Sequence, residues 1–240
     1  MSQRVVIDYG PESTRHYREG YAIVTIDVIR ATTTAITAVA MGRRCFPVPS
    51  IESALPLAAR LEKPVLVGEL GGNMPYGFDI NNSPAHMAAR SDIERPMILL
   101  SSSGTRLIYE SRAADATYLA CFRNVRATAE ATARHSRVAV IGAGTRGEFR
   151  EEDQLCCARI AAELARLGFA FEDDDTARFV EDWAAAPNDA WLESRSVAYL
   201  RDSGQLADLD YVLEHIDDLD QAFVLKHDEV RAMPQGDALV

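Results

Sequence analysis

The chain has 240 residues, 48% of them hydrophobic and 25% charged, values that exclude a disordered or fibrous chain. Its net charge of −11 is unevenly spread: residues 169–240 carry 18 acidic and 5 basic side chains, whereas residues 1–168 carry 18 and 20. An acidic C-terminal third argues against nucleic acid, whose phosphates need a basic face, while the near-neutral first part can receive a small anion.

The longest uncharged run, Ala31 to Gly42, has 12 residues, against the roughly 20 needed to cross a membrane. The opening MSQRVVIDYGPESTRHYREG has no apolar leader core, so no membrane partner is expected. Cys45, Cys121, Cys156 and Cys157 show no CxxC spacing and two are adjacent, which fits a reduced, cytoplasmic protein.

In chain order, apolar runs at 4–8, 21–26, 44–48, 65–67, 97–101, 117–122 and 138–141 read as strands. Helix-period stretches at 31–41, 51–62, 84–90, 105–111 and 125–135 lie between them. Gly42 closes the first helix, Ser50 and Asn124 serve as N-caps, and Pro56 implies a kink or a later start. An amphipathic helix at 151–167 ends at Gly168, and 173–216 reads as mostly helical, with Leu206, Leu209, Val212, Leu213 and Ile216 at helical spacing. A last strand is expected at 229–233. The alternation predicts an α/β fold: a mixed, mostly parallel sheet flanked by helices in three layers, with a helical C-terminal portion. No linker or internal repeat stands out; TIDVIR and LSSSGTR share only a loose strand–turn–Arg pattern. Residues 1–240 are therefore expected to form one domain, with βα units over 1–168 and the acidic, mainly helical portion over 169–240.

In open α/β sheets ligands bind at the carboxyl ends of strands, and the polar and glycine-rich stretches fall there. Asp27 leaves a buried strand, a costly place for a carboxylate unless it meets a metal, a cation or N–H donors. Arg30 follows at a helix start suited to phosphate. Equally, Asp27 can cap that helix and pair with Arg30. Glu69 sits in Gly68-Glu69-Leu70-Gly71-Gly72, where the glycines allow close approach of the backbone. Asp79 and Asn82 lie in an oxygen-rich loop, Gly77 to Pro84, suited to a hard cation such as Mg²⁺ and also to ordinary turns. Ser101 to Arg106 opens another helix with small residues and an arginine, again suited to an anion.

Gly142-Ala143-Gly144-Thr145-Arg146-Gly147 is a formal GxGxxG, so dinucleotide binding is a rival reading. It comes late in the chain, Glu148, Glu151, Glu152 and Asp153 crowd the helix start, and no ribose-binding acid follows at the expected distance. Glu148-Phe149 replaces the Lys-Ser/Thr of a P-loop. The five histidines form no HxH or HExxH pair, and no GxSxG elbow is present. Cys156-Cys157, Trp183 and Trp191 are read as packing residues.

DVIRATTT (27–34), GELGG (68–72), GFDINNSP (77–84), SGTR (103–106), Asn124 and GAG…GEFREED (142–153), in this order, resemble the 2-phosphosulfolactate phosphatase family, Mg²⁺-dependent enzymes of coenzyme M biosynthesis. The resemblance runs from about residue 23 to 168 and more faintly to 234. It implies hydrolysis of a small anionic phosphate ester, with Asp27, Arg30 and Glu69 as catalytic residues. Thr32, Ser83, Gly104, Thr105 and Arg106 are then expected to bind substrate, and Asp27, Glu69, Asp79, Glu152 and Asp153 to hold Mg²⁺. Leu70 stands where the family usually has Arg, Asn81 where it has Gly, and Ser103 where it has Asn. Losing a cation at 70 would remove a contact to a second anionic group, so the resemblance bears on phosphate-ester hydrolysis more than on phosphosulfolactate itself.

The attacking group is either water or Asp27. Ile29 occupies the position of the general acid in the DxDx[TV] motif of haloacid-dehalogenase phosphatases, which tilts the reading toward water. A catalytically lapsed relative acting as a binding protein is a third reading. A homodimer is compatible with a chain of this size and class.

Overall fold

The computed structural model describes residues 2–145 and 147–233. Ten strands pair into one sheet: β1 (Arg4–Tyr9), β2 (Ala22–Ile26), β3 (Cys45–Val48), β4 (Val65–Gly68), β5 (Met97–Leu100), β6 (Ala116–Ala120), β7 (Arg137–Gly142), β8 (Ala170–Phe171), β9 (Phe223–Lys226) and β10 (Glu229–Ala232). The helices are α1 (Ala31–Ala40), α2 (Ile51–Ala58), α3 (Pro84–Ala88), α4 (Gly104–Glu110), α5 (Val125–Thr132), α6 (Glu151–Arg166), α7 (Asp174–Trp183), α8 (Arg195–Asp202) and α9 (Leu206–Glu214).

β2 is AIVTI, with no polar alternation, because both of its faces are covered. Ala22, Val24 and Ile26 pack with Val125 and Ala129 of α5 and Leu155, Cys156 and Ile160 of α6. Ile23 packs on the opposite face with Leu107 of α4. This is the three-layer α/β/α arrangement expected, and Cys156 and Cys157 are fully buried in it.

The sheet order is β4-β5-β3-β10-β9-β6-β2-β7-β1-β8. Pairing is parallel within β4-β5-β3 and within β6-β2-β7-β1-β8, and antiparallel through the β9–β10 hairpin between them. The hairpin holds each half by a short ladder, one residue pair to β3 and two to β6. The C-terminal portion is mainly helical, as expected, with α7, α8 and α9, and the strand expected at 229–233 is β10. That portion also supplies two strands at the centre of the sheet, where Phe223, Val224 and Val230 are buried.

A correction concerns repetition. The run β2-α1-β3-α2-β4 recurs as β5-α4-β6-α5-β7, and the order from β4 to β7 reads the same from either end, β5 matching β2, β3 matching β6 and β10 matching β9. The loose pair TIDVIR and LSSSGTR occupies equivalent strand–helix junctions of these halves. In both, a threonine hydroxyl closes the junction. Thr32 Oγ1 accepts from Asp27 N–H and donates to Asp27 C=O, at 3.0 and 2.8 Å. Thr105 Oγ1 does the same with Ser101, at 2.9 and 3.0 Å.

Two local expectations also shift. Asn124 precedes α5, but its side chain does not cap that helix. Its Oδ1 accepts from Cys121 N–H, and its Nδ2 donates to Leu119 C=O and Thr128. α2 starts at Ile51 under the Ser50 cap and carries Pro56 inside it, ending at Ala58.

Candidate functional site

The carboxyl ends of β2, β4, β5 and β7 open into a cavity of about 550 Å³. It is lined from β2 by Asp27, Ile29 and Arg30, from β4 by Glu69, Gly71 and Gly72, and from β5 by Ser102 and Ser103. Asn82, then Thr145, Glu148 and Arg150 after β7, and Arg195, Ser196 and Tyr199 of α8 complete the lining.

At its centre the starts of α1 and α4 abut. A Cβ on Gly104 would stand 2.1 Å from Asp27 Oδ2 and 2.6 Å from the Ala31 Cβ, so only glycine lets the two junctions meet. Asp27 Oδ1 accepts from Ala31 N–H at 3.1 Å. The peptide bond between Ile29 and Arg30 is cis.

From the other side, α6 brings Glu152 and Asp153 in its first turn, both buried. Asp153 Oδ1 accepts from Val28 N–H at 2.8 Å, tying α6 to the β2 junction. Burial pushes the Asp27 carboxyl up to about 7, with Glu69 and Glu152 adding to the rise and the Ala31 N–H and Arg30 opposing it. Asp153 is raised well above its ordinary value, first by burial and then by Asp27 and Glu152. Glu152 is raised by burial, against which the Ser196 and Ser194 hydroxyls act. Its Oε2 is buried with no hydrogen-bond partner.

Three mutually repelling carboxylates with an orphaned oxygen are a donor set that a hard divalent cation would neutralise. Among the described residues no three such side chains stand close enough to enclose an ion unaided. Mg²⁺ commonly keeps water and takes one or two carboxylates plus substrate phosphate oxygens, so the chemistry of the set fits.

Arg30 is the buried cation of the site. Its Nη1 donates to Asp208 Oδ2 and to Gln205 Oε1, both at 2.5 Å. Asp208 Oδ1 in turn accepts from the Ser83 hydroxyl at 2.5 Å and from Ala85 N–H at 3.1 Å, which joins α9 to the start of α3. Ser83 also caps α3 through His86 N–H.

The expected site residues therefore divide. Asp27, Arg30, Glu152 and Asp153 converge, with Gly104 making room. Glu69 lines the cavity, but its carboxylate is spent on loops: it accepts from Ser102 N–H and Gly72 N–H at 2.7 Å each, and from the Ser102 hydroxyl at 2.9 Å. Thr32, Thr105 and Ser83 hold backbone junctions rather than facing the cavity. Asp79 is exposed and accepts from Leu66 N–H at 2.8 Å, fastening the edge of β4. Arg106 points outward to Glu12, 2.8 Å away, with about half of its side chain exposed.

The glycine loop forms a tight turn in which Thr145 and Glu148 exchange both backbone hydrogen bonds, and the first turn of α6 turns its own carboxylates toward the site. A pyrophosphate would meet those carboxylates, so the dinucleotide reading has no support here; Arg146 lies outside the described residues. Arg150, Arg195, Ser196, Tyr199, Gln205 and Asp208 were not anticipated. The last five lie in the acidic, mainly helical stretch 169–240, where no strand-end pattern marks them.

A family model described as 2-phosphosulpholactate phosphatase matches residues 9–227. A protein of Pseudothermotoga lettingae is 37% identical over 144 residues, 60% of this chain and 62% of its own length. One from Deinococcus radiodurans is 31% identical over 222 residues, 88% and 89% of the two chains. One from Clostridium perfringens is 27% identical over 226 residues, 91% of each. All three carry the description "Probable 2-phosphosulfolactate phosphatase".

Proposed function

The chain belongs to the 2-phosphosulpholactate phosphatase family, and from that premise we propose that it is a phosphoric monoester hydrolase acting on a phosphorylated small hydroxy acid. The reaction of this reading is 2-phosphosulfolactate and water going to sulfolactate and phosphate. Water's oxygen bonds to phosphorus, the ester P–O bond breaks, and the alcohol oxygen leaves protonated. The observation that carries it is that Asp27 and buried Arg30 line one cavity, with the buried carboxylates of Glu152 and Asp153 close enough to act on Asp27.

Arg30, anchored by Asp208 and Gln205, would hold a phosphoryl oxygen with its remaining donors. Ser103, at the start of α4, would take another. Mg²⁺ held by one or two of Asp27, Glu152 and Asp153 would supply neutralisation of phosphoryl charge. Glu69 would act as a positioning residue, holding the Gly71–Gly72 and Ser102 loops against the substrate. Ile29 lines the cavity two residues after Asp27 and offers no proton, which supports water as the attacking group. No helix among the described residues is long and apolar enough to cross a membrane. A cytoplasmic enzyme of coenzyme M biosynthesis, able to pair as a homodimer, completes the same proposal.

The test is phosphate release from 2-phosphosulfolactate and 2-phospholactate. Activity should stop with EDTA and return with Mg²⁺. Unchanged turnover in Asp27→Asn, Arg30→Ala and Glu69→Gln would remove the site.

A further inference from the structure

We propose that Arg150 and Arg195 form a second acid-binding subsite in this cavity, and that Glu148 occupies it as an internal stand-in for an acid group of the substrate. The inference rests on the phosphatase reading above and deepens it. Glu148 ends the tight turn after β7, so its backbone is fixed by the exchange with Thr145. Its Oε2 accepts from Arg150 Nη1 at 2.9 Å and its Oε1 from Arg195 Nη1 at 2.5 Å. One carboxylate thus faces two guanidiniums from different elements, and the group remains a net cation lining the cavity.

The three side chains differ in exposure: 13% for Arg150, 45% for Glu148 and 74% for Arg195. A guanidinium as covered as Arg150 needs an anion, whereas ion pairs this open to water hold their carboxylate weakly. Glu148 can therefore yield to a carboxylate or sulfonate that both forks would grip. The phosphoryl end would lie at Arg30 and the acid end at this pair.

The experiment compares kcat/KM for 2-phospholactate and isopropyl phosphate, which differ by a carboxylate in place of a methyl. The wild type should prefer phospholactate. Arg150→Gln and Arg195→Gln should each cut that preference tenfold or more, chiefly through KM. Glu148→Gln should raise it threefold or more as KM for phospholactate falls. A preference within twofold of wild type in all three variants overturns the subsite. So does a Glu148→Gln protein that melts earlier with its preference unchanged, since Glu148 would then only clamp α8. If the wild type hydrolyses neither ester with any divalent metal, it is the phosphatase reading that fails. The subsite is then judged by calorimetric titration with sulfolactate: binding weakened tenfold in Arg195→Gln supports it, and absent or unaltered binding overturns it.

Discussion

Asp27 is surrounded within one turn by a backbone donor, Ala31 N–H, and by the Gly104 backbone, while Glu152 and Glu69 press on its charge. Two consequences follow at this scale. Gly104→Ala drives a methyl into Asp27 Oδ2 and Ala31, so the protein should lose about 1–3 kcal/mol, the usual cost of overpacking, read as a lower midpoint in urea. Its phosphatase activity should fall at least a hundredfold, and activity near wild type would mean that α1 and α4 need not abut. Asp27→Asn keeps the shape and removes the charge, so kcat should drop by about 10²–10⁴ with the fold intact by circular dichroism. Asp27 and Arg30 were legible in the sequence because a charge leaving an apolar strand is costly without a partner. Thr32 and Thr105 sit at strand–helix junctions, where their hydroxyls serve the backbone, and Arg106 has a long enough stem to turn outward to Glu12.

At the scale of elements, α9 determines where Arg30 sits. Asp208 accepts from Arg30, Ser83 and Ala85, linking the junction after β2 to the start of α3, and the Arg30–Asp208 pair is almost wholly buried. Removing one partner of a buried pair strands the other charge. Asp208→Ala should therefore cost about 3–5 kcal/mol by denaturant unfolding. It should also lower kcat/KM, although its carboxylate is engaged with Arg30 and α3 rather than with the cavity. Activity and stability both near wild type would show that Arg30 is held by other means. The helical spacing of Leu209 and Val212 marked α9 as a packed helix, and both are buried. Nothing in that spacing marked Asp208, one acid among 18 in a stretch that reads as solvated.

Three buried acids, Asp27, Glu152 and Asp153, act on one another, and this sets how the stability of the whole molecule responds to pH. The unfolded Asp27 carboxyl titrates near 3.8 and the folded one near 7, so between those values the folded state holds more protons. Glu152 and Asp153 are shifted in the same direction. The metal-free protein should therefore lose stability as pH rises from about 4 to 7. Asp92, held low first by Arg90, and Glu229, held low first by Arg44, act with the opposite sign in the acid range below that window. Added Mg²⁺ should flatten the fall. Thermal melts at a series of pH values in EDTA and in Mg²⁺ check this; melting temperatures that climb with pH in EDTA would contradict it.

The α/β class, the strands β1 to β7, the helices between them and the family are readable from the chain's residues alone, because apolar period and strand-end loops are local signals carried by neighbouring residues. Long-range packing is what brings β9 and β10 to the centre of the sheet, makes two halves repeat one topology, sets Asp208 against Arg30 and carries Arg195 to the cavity. The contacts of Arg195 with Glu148 and of Asp208 with Arg30 join residues 47 and 178 positions apart, and no local period records which distant charge will be the partner.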